Sequence, residues 1–433
     1  MHLSAPDEKL MSTTLASTTP SDNTPILLSD AHLPVVRSPM LDKNGQLFAY
    51  ELMFHRDDLE PDAEAQLMRR LLSTITDGVM ARLVRGNRAF LRLSRDLLME
   101  QIDVLAHHPR LGVIIDPTSI NDTALLEQLA LRSCSLLLDL SELDANTDEP
   151  YGNLEPLLAM AKYVRLDAGA LDARTLALRS AQLHARGLGV IAGFVDDHEI
   201  YSRCKPLTLQ AVQGRYLLLP EEIVAPVLTP NRMNLLRLMN ALQENNPGPV
   251  ELGEIIRDDA VLSYKLLGCV NSAYFALPRQ LKSIQQAAIF FGVARMRNWI
   301  YAMALSGMND RPPELLRAAL IRAHMCEKLA QGMSTNHQEM AFMTGLLSLL
   351  DTLMCAPMEL VLSHLPLAPE IREALVGGSG PFAPLLEQIY IWEAGELGAT
   401  NVQPQNILRM ATVYLEATQW ADQVYNFADQ RAY

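Results

Sequence analysis

The feature of this 433-residue sequence that most constrains its fold is a change of pattern at residues 220–232, "PEEIVAPVLTPNR". Short apolar runs alternate with helical stretches before this segment, whereas long amphipathic helices without strand-like runs follow it. Its three prolines are typical of a connector between folded units. A chain of this length is also too long for one ordinary core. We therefore predict two domains of different class, over residues 30–225 and 226–433.

The first domain has the pattern of an α/β barrel. "LPVVRSPM" and "LFAYELMF" flank "DKNG", whose Asn-Gly pair predicts a hairpin. Further apolar runs follow at "AFLRLS", "GVIIDPT", "SLLLDLS", "KYVRLDAG", "GVIAGFV" and "LQAVQGRYL". Helical stretches separate them, over Asp62–Val84 and from near Asp96, Asp122, Asn153, Asp172 and Asp197. Strands joined by helical crossovers pair in parallel, so we predict a modified (β/α)8 TIM-like barrel that opens with an antiparallel hairpin.

Charged residues fall where such a barrel carries its chemistry, at the carboxyl ends of the strands. These residues are Arg92, Asp116, Asp139, Arg165, Asp167 and Asp196. Asp116 and Asp196 fit equally well as helix caps or loop charges, and the sequence leaves both interpretations open.

The second domain has the pattern of an all-α fold. "SIQQAAIFFGVARMRNWIYAMAL" begins with Ser283 and Gln286 at the spacing of a capping box. Further helices are predicted over 313–331, 337–355, 369–376, 383–395 and 404–430. No run of apolar residues in the sequence is long enough for a transmembrane helix.

Composition excludes some classes of partner and compartment. The net charge of −14 disfavours nucleic acid, because an acidic surface repels phosphates. The five cysteines are scattered without metal-ligand spacing, which indicates free thiols in a reducing compartment and predicts the cytoplasm. Residues 1–29 are rich in Ser, Thr, Pro and Asp and predict a disordered tail without a secretory signal.

The first domain resembles the EAL-type cyclic-di-GMP phosphodiesterases. The resemblance is carried, in the family's order, by "YEL" (50–52), "AFLRLS" (89–94), "GVIID" (112–116), "LLLDL" (136–140), "YVRLDAGAL" (163–171), "VIAGFVDD" (190–197) and "VQGRYLLLP" (212–220). Active members hold two divalent cations with carboxylates and an Asn, and use a nearby Lys and Glu. The resemblance places Glu51 at the signature Glu, Asp116 and Asp139 at two other acidic positions, and Gln213 in the family's "QG" segment.

Four other positions depart from that pattern. The resemblance expects an Asn where Arg92 stands, a second acid where Leu140 stands, a Lys where Arg165 stands and a Glu where Gly193 stands; His55 also takes an expected Arg position. A fixed positive charge opposes a divalent cation, and a guanidinium is neither a ligand nor a base at working pH. We therefore predict no catalytic residue, no metal and no cofactor in this domain, that is, an inactive enzyme.

Three uses of this pocket stay open. Arg92 and Arg165 can form ion pairs with Glu51, Asp139 or Asp167 and fill the former metal site, which is the interpretation we favour. Alternatively, the two arginines and Gln213 bind a cyclic dinucleotide without hydrolysis. The third alternative is a weakened phosphodiesterase.

The second domain resembles the HDOD domain, a relative of the HD phosphohydrolases without their chemistry. The carrying segment is "IIRDDAVLSYKLLGCVNSAYFALPRQLKSIQQAAIFFGVARMRNWI" (255–300). HD enzymes bind metal through a His and a later His-Asp doublet, but Ser348 and Leu349 stand at the doublet. His324 lies near the position of the first His, and one His is too few ligands for a metal.

One segment of this domain has a rival interpretation. "SIQQAAIFFGVARMRNWI" also fits a helix-turn-helix whose second helix carries Arg295, Arg297 and Trp299. The apolar "WIYAMAL" that follows favours a buried helical hairpin instead, so we predict no DNA partner.

Together, the two resemblances imply a bacterial signal-transduction protein linked to cyclic-di-GMP. We predict a non-catalytic interaction scaffold whose partners are other signalling proteins, with a metal-independent cyclic-di-GMP sensor and a weak phosphodiesterase as alternatives. Pairing into a homodimer is implied by resemblance alone, and no membrane partner is expected.

Overall fold

The computed structural model describes residues 35–54, 66, 68–69, 72–73, 83–118, 122–132, 134–142, 154–221, 228–243, 247–257, 259–272, 277–308, 310–395 and 404–429. The predicted tail at 1–29, His55 and most of the predicted helix over Asp62–Val84 lie outside these residues. The predicted boundary between domains, at 225/226, also lies outside them. It stays a prediction.

In the described part of the first half, eight strands close a barrel. The strands are β1 (Val35–Leu41), β2 (Leu47–Phe54), β3 (Ala89–Arg92), β4 (Leu111–Ile115), β5 (Ser135–Asp139), β6 (Tyr163–Asp167), β7 (Gly189–Gly193) and β8 (Ala211–Gln213). β1 pairs antiparallel with both β2 and β8, and all the other pairs are parallel. The predicted TIM-like barrel with an antiparallel opening is therefore confirmed.

The predicted hairpin joins β1 to β2. The Asp42 carboxylate accepts hydrogen bonds from the backbone N–H groups of Asn44, at 2.8 Å, and Gln46, at 2.9 Å. Gly45 adopts φ 72°, a left-handed conformation that glycine reaches without steric cost. The Asn-Gly signal thus marks the turn, and Asp42 holds it closed.

Helices alternate with the parallel strands. They are α1 (Arg95–His107), α2 (Thr123–Leu131), α3 (Glu155–Met160), α4 (Ala173–Ala185) and α5 (His198–Cys204). The side chains of Asp122, Asp172 and Asp197 cap α2, α4 and α5 by accepting backbone N–H groups, as the sequence predicted. α1 begins one residue before Asp96, after an N-cap at Ser94.

The interior of the barrel is filled at its lower half by one side chain from each strand. These are Met40, Ala49, Phe90, Ile114, Leu137, Tyr163, Ile191 and Ala211. Because side chains alternate faces along a strand, the residue two positions nearer the mouth on each strand also faces the interior. This packed floor therefore supports a second layer of inward-facing residues at the carboxyl ends of the strands.

The second half is helical. A 3-10 helix at Arg215–Leu218 ends the barrel. The helices that follow are α6 (Pro230–Gln243), α7 (Pro249–Ile255), α8 (Ala260–Val270), α9 (Ile284–Phe291), α10 (Val293–Leu305), α11 (Pro313–Leu329), α12 (Thr335–Leu347), α13 (Leu350–Met354), α14 (Met358–Leu362), α15 (Pro369–Gly377), α16 (Ala383–Ala394) and α17 (Pro404–Asp429). α11 lies at the centre, against α12, α16 and α17, and is buried over most of its length.

Two details of the helical half differ from the sequence prediction. The helix predicted over 337–355 is divided into α12 and α13. Ser348 follows α12 and donates its hydroxyl to the Gly345 carbonyl at 2.8 Å, which favours the end of a helix over its interior. At α9, Ser283 accepts the Gln286 N–H as predicted, but Gln286 reaches back to Lys282 rather than to Ser283.

Two residues of α10 that a recognition helix would expose toward DNA are instead packed or paired. Trp299 is buried with Ile300, and Arg295 pairs with Glu327 of α11 at 3.6 Å. The pair of helices α9 and α10 therefore has the geometry of a core hairpin. Among the described helices, none combines the length and the apolar character that crossing a bilayer requires.

Candidate functional site

The mouth of the barrel carries one inward-facing residue from each strand, two positions beyond the floor. These residues are Ser38, Glu51, Arg92, Asp116, Asp139, Arg165, Gly193 and Gln213. Six of the seven predicted site residues are members of this layer. Asp167 lies two residues beyond Arg165, one layer farther out.

Arg165 is the centre of the layer. Its Nη1 atom donates to Glu51 Oε2 at 2.6 Å and to Gln213 Oε1 at 3.2 Å. Its Nη2 and Nε atoms bind the two oxygens of Asp139 at 2.5 and 3.2 Å. This two-pronged contact matches the planar fork of a guanidinium to a carboxylate, a geometry that Lys cannot reproduce.

Arg92 and Gln213 complete the contacts. Arg92 donates from Nη2 to Asp139 Oδ2. Gln213 donates from Nε2 to Glu51 Oε2 at 2.7 Å and to the Ser38 hydroxyl at 3.1 Å. We call Glu51, Arg92, Asp139, Arg165 and Gln213 the mouth cluster.

Burial makes the pairing in the mouth cluster obligatory. Asp139, Arg165, Glu51 and Gln213 are all buried, whereas the Arg92 side chain is 30% exposed. Burial alone would raise the pKa of Asp139, but the hydrogen bonds and charge of Arg165 outweigh it and hold that pKa well below its usual range. Burial likewise opposes the charge of Arg165, and Glu51 and Asp139 more than compensate and raise its pKa. Arg165, Glu51 and Asp139 therefore balance one another's charges away from water, and Arg92 adds a second cation at the solvent edge.

Gly193 gives the Arg165 side chain its space. A Cβ atom at residue 193 would lie 2.8 Å from Arg165 Cδ and 3.0 Å from Arg165 Cγ. Contacts this short do not occur between real side chains, so a larger residue at 193 requires Arg165 to move. Two departures from the EAL pattern, at positions 165 and 193, are thus one structural change.

The remaining predicted residues serve turns. Asp116 accepts hydrogen bonds from the Thr118 N–H at 2.9 Å and from its hydroxyl at 2.7 Å. Asp167 accepts the Ala170 N–H at 2.8 Å. Asp167 was one of three predicted partners for Arg92 and Arg165. The two arginines pair with Glu51 and Asp139 instead.

The mouth cluster does not fit the two divalent cations that an EAL-type active site holds. The guanidinium of Arg165 lies between Glu51 and Asp139, within hydrogen-bond distance of both. A cation entering there would have to displace a permanent positive charge. Among the residues that the structure describes, no three His, Cys, Asp or Glu side chains are grouped to hold a metal ion.

A cavity of about 1320 Å³ lies above the mouth cluster. The barrel contributes the exposed edge of Arg92 and the ring of Phe194, which lies 5.4 Å from the Arg165 guanidinium and is 45% exposed. The helical half contributes another part of the wall, from Glu314, Arg317, Ala318, Ile321, Glu393, Ala394, Gly395 and Tyr414. A molecule in this cavity would contact both domains.

A second buried arginine, Arg322, lies in the helical half beside Ser348, and sequence reasoning missed it. Arg322 of α11 binds Glu393 of α16 through Nε at 2.9 Å and Nη2 at 2.6 Å. Its Nη1 atom donates to the Ser348 hydroxyl at 3.3 Å, and its guanidinium lies over the ring of Tyr390. Ser348 is the residue that the resemblance to HD enzymes places at the His of the doublet, and here its hydroxyl contacts a buried ion pair.

His324 is buried in the helical half. Its ring stacks on Trp420 with centroids 4.9 Å apart. Burial, followed by the charges of Lys328 and Arg295, lowers the pKa of His324 to about 3, so the ring is neutral at physiological pH. His324 is therefore a packed histidine of the helical half.

Comparison with known proteins finds a family-model match in the helical half and relatives that span most of the chain. Residues 228–361 match the family model of the HDOD domain. The uncharacterized protein YuxH of Bacillus subtilis (strain 168) is 24% identical over 400 residues, which cover 89% of this chain and 97% of that protein. The cyclic di-GMP phosphodiesterase CdgJ of Vibrio cholerae serotype O1 is 25% identical over 367 residues, which cover 82% of this chain and 83% of that protein.

Similar solved structures are EAL domains. The EAL-like domain protein YdiV matches 42% of this chain and 89% of its own, with 18% identity and a TM-score of 0.32. The FimX EAL domain from Pseudomonas aeruginosa bound to c-di-GMP matches 42% of this chain and 88% of its own, with 17% identity and a TM-score of 0.33.

The chain combines an EAL-like barrel with a following HDOD domain. Both resemblances stated from the sequence are confirmed, as is the fold class of a TIM-like barrel followed by an all-α domain.

Proposed function

We propose that this protein is a non-catalytic regulator that works as a protein-interaction scaffold in cyclic-di-GMP signalling in the bacterial cytoplasm. The observation that carries the proposal is the position of Arg165 between Glu51 and Asp139, at 2.6 and 2.5 Å. Hydrolysis of a phosphodiester by an EAL-type site needs cations where this guanidinium lies. The similarity to CdgJ over most of both chains supports the signalling context.

Free thiols support the cytoplasmic assignment. All five cysteines are unpaired, and four of them are buried. Structural disulfides are typical of oxidising compartments, where a protein with several cysteines commonly pairs them.

A hydrolysis assay tests the loss of catalysis. The purified full-length chain is incubated with cyclic-di-GMP and Mg²⁺ or Mn²⁺, and linear dinucleotide is followed by chromatography. We expect no product above a protein-free control. Product that is formed by the wild type and lost in Glu51→Gln would overturn the proposal, because that control excludes a contaminating hydrolase and would leave a weak phosphodiesterase.

The scaffold role is tested by binding. Signalling proteins captured with the full-length chain are purified and tested again as isolated pairs by calorimetry. We expect at least one of them to bind directly without added nucleotide or metal. Light scattering on the same samples tests the expected homodimer. Failure of every isolated pair to bind would contradict the scaffold.

A metal-independent sensor is the second candidate, and the cavity above the mouth cluster favours it. Arg92 is the partly exposed cation of the cluster and lines that cavity, so its charge is available to a phosphate. Calorimetry with cyclic-di-GMP in the presence of a chelator tests this function. Binding that is abolished in Arg92→Ala and retained in Arg132→Ala would support the sensor, because Arg132 pairs with Asp103 on the barrel surface and is not among the residues that line the cavity.

A further inference from the structure

The β1–β2 side of the barrel meets the helical half through buried polar side chains. We call them the interdomain cluster: Arg37 of β1, Tyr50 of β2, Arg85, Glu314 and Arg317 of α11, and Asp422 of α17. Arg37, Glu314, Arg317 and Asp422 are each less than a tenth exposed. The contact between the barrel and the helical half therefore contains buried charged side chains.

Barrel residues contact both helices directly. Arg37 Nη1 binds Asp422 Oδ2 at 3.1 Å, and the Tyr50 hydroxyl donates to Glu314 Oε2 at 2.7 Å. Arg85 binds Glu314 at 3.0 Å and lies 3.4 Å from Asp422. These contacts join the barrel to α11 and α17 at once.

The helical side closes the cluster. Arg317 binds Glu314 at 3.0 Å and lies 3.3 Å from Asp422, and its guanidinium lies 3.7 Å from the centroid of the Tyr425 ring. Three arginines here face two carboxylates. Because each carboxylate serves several cations, loss of one contact changes the balance of the others.

The mouth cluster and the interdomain cluster lie on opposite faces of the same two strands. Ser38 and Glu51 are paired in the register of β1 and β2 and face the barrel interior. Their neighbours in sequence, Arg37 and Tyr50, face the helical half. Alternation along a strand puts consecutive residues about 3.3 Å apart on opposite faces.

We infer that β1 and β2 couple the mouth of the barrel to the HDOD half, so that a ligand or partner which opens the mouth cluster changes how α11 and α17 are held. When an anionic group draws Arg165 away from Glu51, β2 loses an anchor on its inner face. The adjacent Tyr50 then holds Glu314 less firmly, and the charges of Arg37, Arg85 and Arg317 redistribute. The coupling is reciprocal, since both clusters act on one pair of strands.

The shared cavity provides a second, direct route. Glu314 and Arg317 of the interdomain cluster line it together with Arg92 and Arg165 of the mouth cluster. An anion that pairs with Arg92 is therefore placed near a helix of the other domain. The inference rests on the proposed function only in treating the mouth as an input for a ligand or partner rather than as a place of hydrolysis.

The chain contains its own reporter of this coupling. All three tryptophans, Trp299, Trp392 and Trp420, belong to the helical half, and Trp420 lies two residues before Asp422 on α17. Tryptophan emission therefore reads the helical domain alone, even when the change is made in the barrel.

The test changes a residue of the mouth cluster and measures the environment and amide exchange of α17. In Glu51→Gln the side chain keeps its size but loses the charge that holds Arg165. We expect a shifted tryptophan emission and roughly tenfold faster amide exchange in peptides covering 410–425. Arg132→Gln is the control within the barrel, because Arg132 pairs with Asp103 on the barrel surface and is not among the residues that line the shared cavity. This control should leave both signals unchanged.

A double-variant cycle checks that the signal passes through the strand. Tyr50→Phe keeps the ring and removes the hydroxyl that binds Glu314. We expect the effects of Glu51→Gln and Tyr50→Phe on α17 exchange to deviate from their product by about threefold or more. Ser38→Ala, a milder change at the mouth, repeats the test if Glu51→Gln does not fold.

Two results would overturn the inference: α17 exchange at the wild-type rate in folded mouth variants, or strictly multiplicative effects in the cycle. Neither result depends on hydrolysis. A protein that turned over cyclic-di-GMP and still showed the coupling would refute the proposed function and leave this inference standing.

Discussion

The Arg165 side chain runs directly over Gly193, the last residue of the neighbouring strand, with no room between them for a methyl group. A Cβ atom at residue 193 would lie 2.8 Å from Arg165 Cδ. The guanidinium beyond this contact binds Glu51 and Asp139. The small residue at 193 is therefore a condition for the buried ion pairs at the mouth.

Gly193→Ala tests this relationship. The added methyl must push Arg165 out of its position, and we expect a loss of about 1–3 kcal/mol in the free energy of unfolding. Urea unfolding followed by circular dichroism gives the measurement. Gly253→Ala is the control, because a Cβ atom at residue 253 in α7 would have its nearest neighbour at 3.9 Å. That change should be neutral or slightly stabilising. Equal losses in both variants would contradict the relationship.

The lowered pKa of Asp139 predicts that the free energy of unfolding falls in acid. Its pKa is lower in the folded than in the unfolded protein, because Arg165 and Arg92 hold the carboxylate against the cost of burial. A group with a depressed folded pKa contributes stability that is present above its unfolded pKa, about 3.9, and is lost as the pH falls toward the folded value. We expect the stability gap between wild type and Asp139→Asn to be constant from about pH 7 to 5 and to shrink below about pH 4.

Unfolding curves recorded at a series of pH values measure this gap. Asp103→Asn is a suitable comparison, since Asp103 is an exposed acid paired with Arg132 on the barrel surface. Its gap to the wild type should stay within a few tenths of a kcal/mol throughout. A gap for Asp139→Asn that widens on acidification would show that the ion pair is not formed in solution.

Local pattern predicted the barrel and most of the mouth residues, whereas Glu51 and Gln213 were predicted from the resemblance to the EAL-type enzymes. Alternation of apolar and polar residues places Glu51, Asp139, Arg165 and Gln213 two positions beyond floor residues on their strands. Counting two positions from the floor residue Met40 along β1 would also have predicted Ser38 as a site residue. It also shows why Asp167, at the end of β6, lies a layer farther out and serves a turn.

The interdomain cluster and the Arg322–Glu393 pair were beyond the reach of the sequence. Tyr50 and Glu314 are 264 residues apart, and Arg322 and Glu393 are 71 apart. Each of these residues is compatible with an exposed position in its own helix or strand. Only the way the domains and helices fold onto one another gives them a buried partner, and a single sequence carries no periodic signal for that.

Reversal of the departures at the mouth should recreate a cation site. We expect the variant with Arg92→Asn, Leu140→Asp, Arg165→Lys and Gly193→Glu to bind Mn²⁺, because it removes the charge of Arg92, replaces the guanidinium fork of Arg165 with a single ammonium group, and adds oxygen ligands near Glu51 and Asp139. Titration calorimetry and the paramagnetic resonance of Mn²⁺ measure the binding. The wild type should show none at this position.

Arg165→Lys alone is the informative control for that reconstruction. This single change leaves the Arg92 cation in place and adds no oxygen ligand, so it should not create binding. Mn²⁺ bound at the mouth of the wild type, or no binding by a folded fourfold variant, would show that the arginines are not what excludes the metal.

The Arg322–Glu393 pair should behave as a buried unit. Arg322→Met leaves the Glu393 carboxylate, whose side chain is 17% exposed, without its bidentate partner, and we expect a loss of about 3–5 kcal/mol in unfolding free energy. Glu393→Gln in the same background should restore part of that loss, because an amide tolerates burial without a counter-ion. Chemical denaturation of the wild type, both single variants and the double variant gives the coupling energy.

The exposed pair Arg257–Glu254 in the same domain supplies the reference, with an expected coupling of about 0–1 kcal/mol. A coupling for Arg322–Glu393 no larger than that reference would mean that the pair does not hold α11 to α16.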